Sequence, residues 1–185
     1  MKALAKRAAV CAELIHAIES IDAGQAGRLE DRLHTAGRVF CFGMGRSGLC
    51  MRGFAMRLMH LGIQCSIVGD TLCEPMKKGD VLVLTSASGR SEILRNLANK
   101  AHALGSSVAL VTLDAESPLA DVSDVVVNIH AVSKETMGKD RNSALPMGSL
   151  FEEVALIFFD IVISDMMERM GVENDEMVSR HANLE

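Results

Sequence analysis

The chain has no tryptophan and no tyrosine, only three prolines, and aromatic residues at just 3%. Its core must therefore be aliphatic, padded by the flexible thioethers of 12 methionines. The cysteines Cys11, Cys41, Cys50, Cys65 and Cys73 are odd in number and include no CxxC pair. That spacing excludes a zinc ribbon or a disulfide framework and fits reduced thiols, mostly small buried hydrophobes, in the cytoplasm. Positive charge is also short: 19 Lys and Arg stand against 24 Asp and Glu, a formal net charge of −5. No global field attracts nucleic acid, so an anionic ligand must meet a locally positive site. No apolar run reaches the roughly 18 residues of a membrane span, and Glu13 and Glu19 interrupt the basic amino-terminal stretch. A secreted or membrane-embedded protein is not expected.

What is present suffices for one domain over residues 1–185, with 49% hydrophobic residues to bury. Leu14, Ile15, Ile18 and Ile21 recur at helical spacing, which predicts two helices within residues 1–36, broken near Ala23 and Gly24. Residues 37–130 hold five aliphatic runs, "RVFCFG", "CSIVG", "VLVLT", "SVALVTL" and "DVVVNI", that read as strands. Between them, "LCMRGFAMRLMHLG" and "EILRNLANKAHALG" read as helices ending in glycine, with Gly62 as a C-cap. The expected architecture is α/β: a three-layer, doubly wound, five-stranded parallel sheet.

The polar segment 131–149 is too long for a simple connector and is a candidate active-site loop. Beyond it, residues 150–185 open on the long helix "SLFEEVALIFFDIVISDMMERMG", apolar around most of its circumference, as a core or oligomer-interface helix is. The polar tail is either a disordered end or an arm that docks on another subunit.

Two turns carry ligand chemistry. "GMGRSG", residues 43–48, has the GxGxxG spacing after a strand, and Asp70 follows about 20 residues on, where a dinucleotide fold places its ribose-binding acid. A nicotinamide-dependent dehydrogenase is thus one reading. Against it, Arg46 and Ser47 put a cation and a hydroxyl in a turn that a dinucleotide reads through its backbone. Two helices before the first strand also fit that fold poorly. "SASGRS", residues 86–91, ends the third strand and opens a helix. Free N–H groups, the positive end of the helix dipole and added hydroxyls make a neutral cradle for a phosphate. Helix capping accounts for one of these serines, or two, but not for all three.

Together these turns resemble the sugar isomerase, or SIS, fold, whose members bind phosphosugars on a flavodoxin-like sheet. "FAMRLMHLG", "VGDTLCEP", "PMGSLFE" and "RHANLE" are more closely similar to the 6-phospho-3-hexuloisomerases, over nearly the whole chain. The resemblance implies interconversion of D-arabino-hex-3-ulose 6-phosphate and D-fructose 6-phosphate through a cis-enediol, in formaldehyde fixation by the ribulose monophosphate pathway. It further implies no metal or organic cofactor, a homotetramer or homodimer, and a hexulose-phosphate synthase as pathway neighbour.

By the same resemblance Glu152 is the base, with Glu153 its rival by sequence alone, and apolar neighbours are expected around it. His181 matches a histidine brought from a neighbouring subunit. Ser47, Ser86, Ser88, Ser91 and the backbone of Gly89 are expected to hold phosphate, and Arg46 to face the sugar oxygens or the enediolate. Met44, Met56 and Met59 are expected to pack rather than touch ligand. The chain departs from the family pattern at Cys73, Glu74, Arg90, Ser91 and Leu145. Of these, Arg90 is either an extra anion contact or a solvated side chain. A non-catalytic phosphosugar sensor is the remaining reading, in which neither Glu152 nor His181 is needed.

Overall fold

A computed structural model describes residues 2–131 and 143–184. The chain opens with helices α1 (Lys2–Glu19) and α2 (Ala23–Thr35). The break between them falls at residues 20–22, earlier than the glycine suggested. Asp22 accepts a hydrogen bond from the Gln25 N–H at 2.8 Å, so its carboxylate starts α2 and leaves Gly24 in the first turn.

The sheet then forms from β1 (Val39–Gly43), β2 (Cys65–Ile67), β3 (Val81–Thr85), β4 (Ser107–Thr112) and β5 (Val125–Asn128). All pairs are parallel, in the order β2-β1-β3-β4-β5. The helices between strands are α3 (Gly45–Leu61) and α4 (Glu92–Ala103), and after the sheet come α5 (Ser149–Met170) and α6 (Asn174–Ser179). The strands are nearly continuous aliphatic runs because both faces are covered. Val39, Cys41, Val81, Val83, Ala109 and Val111 point to one face, and Phe40, Leu82, Leu84, Val108 and Leu110 to the other.

The two faces are unequal. The first meets α2, α3 and α5, whose Phe54 and Phe159 rings stack with centroids 4.3 Å apart. Burying each such ring contributes about 2–3 kcal/mol. The second meets only α4, a 3-10 turn at Ala120–Val122, and the irregular crossing 68–80 that joins β2 to β3 without a helix.

The polar tail folds on its own chain. Met177 of α6 is buried in the main core, Arg180 donates to the His60 carbonyl at 2.8 Å, and the His60 and His181 rings stack at 5.2 Å. Among the described residues, no helix is long and apolar enough to cross a membrane.

The chain leaves β1 for α3 on one face and β3 for α4 on the other. The crevice beyond the carboxyl ends of these adjacent strands is the point where an open α/β sheet binds its ligands.

Candidate active site

A cavity of about 540 Å³ fills that crevice. Three helix starts converge on it: Gly45, Arg46 and Ser47 from α3, Ser91 and Leu94 from α4, and Ser149 and Glu152 from α5. Each contributes roughly half a positive charge and free N–H groups. Neither Met44 before α3 nor Gly148 before α5 supplies a side-chain cap, so those first turns keep their donors for a ligand. Among the described residues that line the cavity, the charged side chains are Arg46 and Glu152, so the helix starts are its main further source of positive potential.

The start of α3 lies close over the end of β1. A Cβ on Gly48 would stand 2.5 Å from the Gly43 carbonyl oxygen, and one on Gly43 would stand 2.9 Å from the Ser47 backbone. The first and third glycines of the GxGxxG spacing are therefore required by packing, and the residues between them, Met44, Gly45, Arg46 and Ser47, line the cavity.

The serine turn forms the neutral wall. Ser86 Oγ accepts from the Gly89 N–H at 3.2 Å, Ser88 Oγ from Arg90 at 3.4 Å, and Ser91 Oγ from Leu94 at 3.4 Å. All three serines therefore serve the turn, where capping was expected to account for two at most. A hydroxyl that accepts still has its proton to donate, Ser91 giving its own to the Met44 sulfur at 3.5 Å, and all three line the cavity. Gly89 does not. It is buried at φ +61, its N–H and C=O are spent on Ser86 and Leu119, and a Cβ there would lie 1.9 Å from Ser117 Oγ. Its backbone shapes the turn rather than lining the cavity, so the donors expected around it fall to the neighbouring serines, which do line the cavity. Arg90 points away and pairs with Asp114 at 2.9 Å, an exposed ion pair.

The opposite wall is charged. Arg46 donates from Nε to Glu152 Oε2 at 3.0 Å and from Nη2 to Glu153 Oε1 at 2.9 Å. Glu152 therefore has a cation beside it, where apolar neighbours were expected. Its hydrogen bond, ahead of the other interactions, pushes the Arg46 pKa up. Glu152 lines the main cavity and Glu153 does not, which separates the two carboxylates that sequence left as rivals. Beneath them the Cys50 thiol lies 3.3 Å from the Glu152 carbonyl oxygen, and burial first, then the two carboxylates, push its pKa up.

Above the cavity, Met147 and Gly148 take successive left-handed conformations, φ 55 and 75, before α5. Met147 is 78% exposed and lines the cavity with Pro146 and Ser149. The approach to this turn is tied to α1, where Glu13 accepts from Ser143 Oγ and from the Ala144 N–H at 2.8 Å. Of the loop 131–149, residues 132–142 lie outside the described residues. Met44, expected to pack, also lines the cavity, whereas Met56 and Met59 do not. The clue to Met147 was the Pro-x-Gly before the long helix, since a helix entered through glycine has no side-chain cap and its turn lies open.

Two sequence candidates lie elsewhere. Asp70 is gripped by Arg52 at 3.0 and 2.6 Å, away from the cavity, and so is not free to take a ribose. His181 sits at the far end of α3, a helix of 17 residues that spans roughly 25 Å at 1.5 Å per residue. Its Nδ1 lies 2.9 Å from the Ala182 carbonyl oxygen, so within one chain it does not reach the cavity.

The SIS domain family matches residues 32–157. A 3-hexulose-6-phosphate isomerase of Bacillus subtilis is 36% identical over 185 residues, covering 100% of both chains. One from Methanocaldococcus jannaschii is 37% identical over 156 residues, 84% of this chain and 82% of that one. A crystal structure of a hypothetical protein from Methanococcus jannaschii, for which a function of 3-hexulose-6-phosphate isomerase was inferred, superposes with a TM-score of 0.84. It shares 32% identity and covers 100% of each chain. The chain belongs to the SIS domain family and, within it, to the family of the 3-hexulose-6-phosphate isomerases.

Proposed function

We propose that the chain interconverts D-arabino-hex-3-ulose 6-phosphate and D-fructose 6-phosphate, the second step of formaldehyde fixation by the ribulose monophosphate pathway. The observation that carries this is the pairing, in one cavity, of a neutral wall of hydroxyls with a carboxylate, Glu152, the one that lines it among the described residues. Ser47, Ser86, Ser88, Ser91 and the first turns of α3 and α5 hold the phosphate. In the 3-keto sugar, closure through O6 is blocked by the phosphate and closure through O5 would make a four-membered ring, so the substrate arrives open-chain.

Glu152 then takes the proton from C2 as the C3 carbonyl becomes the enediolate oxygen, and returns a proton to C3 as the C2 oxygen becomes the carbonyl. Arg46, hydrogen-bonded to the base, stands where charge develops on those oxygens. The proton moves within one carbon skeleton with no net redox change, so the reaction needs no redox cofactor.

The proton on the sugar oxygens is assigned to His181 of another copy in a homodimer or homotetramer. Leu49, Met56, Leu156 and Ile161 support that assembly, because they leave apolar side chains exposed on α3 and α5, Leu49 and Leu156 of them beside Arg46 and Glu153.

The test supplies ribulose 5-phosphate, formaldehyde and a hexulose-phosphate synthase, then measures fructose 6-phosphate. Product that depends on this protein supports the proposal. No product from folded protein that still binds the sugar phosphate would favour a sensor.

A further inference from the structure

Glu153 has no place in the proton transfer, since it lies outside the main cavity. Yet it holds one edge of the guanidinium whose other edge meets the base, and 2.9 Å and 3.0 Å are both full charge-assisted contacts. Adjacent positions on a helix point about 100° apart, so a single arginine is stretched across two neighbouring carboxylates.

We propose that Glu153 is a positioning residue: it anchors Arg46 so that Glu152 meets the cation through Nε alone and keeps an oxygen free for the substrate. The inference rests on the isomerase reading for its kinetic consequence, but not for its electrostatic one. Without Glu153 the guanidinium is free to turn and seat both its donors on Glu152, the bidentate geometry arginine favours with carboxylates. The base is then blocked by the cation, and the neighbouring negative charge that opposes a second one beside it is gone.

The groups that set this balance are few. Arg46 and Cys50 from α3 and Glu153 from α5 share a cavity of about 200 Å³ with Glu152, and among the described residues the lining of the main cavity adds no other charged side chain. With Cys50 neutral, removing Glu153 leaves the arginine unopposed.

Glu153→Ala should lower kcat by roughly tenfold to a hundredfold, the scale of general-base catalysis impaired but not lost, and leave KM within about twofold because the phosphate grip is untouched. Glu153→Gln retains an oxygen for Nη2 but no charge. It should recover part of the lost kcat and move the acid limb of the kcat profile to lower pH. Wild-type kcat and an unmoved acid limb in both variants would overturn the proposal.

A readout without turnover keeps the two proposals separable. The carboxyl carbon of Glu152 is followed by NMR through a pH titration, assigned by its loss in Glu152→Gln. It should titrate lower in both Glu153 variants. If wild-type protein fails to isomerise the sugar, the functional proposal falls while this titration still decides the role of Glu153. An unchanged Glu152 titration overturns that role.

Discussion

The two walls of the cavity solve different problems with different chemistry. The wall after β3 is neutral: hydroxyls and backbone N–H groups, each already fixed by a bond inside the turn. The wall between α3 and α5 is charged, and its three groups come from segments 106 and 107 residues apart. A phosphate needs many donors in constant positions, which a rigid neutral turn provides without a counter-charge that titrates. Moving a proton needs a group whose charge changes, and such a group must be balanced by a neighbour that can adjust.

The comparison can be broken most severely at Glu152. Glu152→Gln should lower kcat by about a thousandfold, within the range of general-base contributions, while the sugar phosphate still binds by calorimetry. A variant that retains activity would take Glu152 out of the mechanism and leave the charged wall unexplained.

Next in size is Gly89→Ala, which disturbs the neutral wall without removing a hydroxyl. The new methyl collides with Ser117 Oγ at a left-handed position. Overpacking of this kind costs about 1–3 kcal/mol, and the left-handed conformation about 1–2 kcal/mol more, seen as a lower melting temperature. Adding Ser117→Gly should recover the part due to collision and not the part due to conformation.

A milder change, Ser88→Ala, removes one donor from the phosphate. It should raise KM by roughly tenfold with kcat nearly constant, as loss of a hydrogen bond to a charged group predicts. If kcat falls instead, the division of labour between the walls is wrong.

The smallest effect sharpens the comparison at the far end of α3. Burial, then His181 and Arg57, lower the His60 pKa. A histidine kept neutral in the fold contributes stability above its ordinary value of about 6.5, and that contribution is lost as pH falls through its lowered value. Melting temperature should therefore drop on acidification in wild type more than in His60→Gln, with the α6 region losing amide-exchange protection first.

The strands and the long helix were legible in the sequence because burial on both faces of a sheet writes itself as unbroken aliphatic runs. So were both turns that line the cavity, since hydroxyls and glycines at a strand end are unusual enough to need a reason. The break between the first helices was misplaced because a cap at Asp22 outweighs a glycine two residues later. The grip of Arg46 on Glu152 and Glu153 was illegible, as nothing local joins positions so far apart in the chain. Met147 was missed because a single left-handed residue leaves no periodicity to read. The tail folds because Met177 has a core to enter. Its six residues would not form a helix alone.

The close passage of Gly48 over Gly43 bears on how such proteins are sorted. Both glycines answer to the meeting of a strand and a helix, and neither answers to what is bound. A pattern search built on them selects an architecture that many chemistries can inhabit. The information that tells the cargoes apart resides in the letters between them, here arginine and serine.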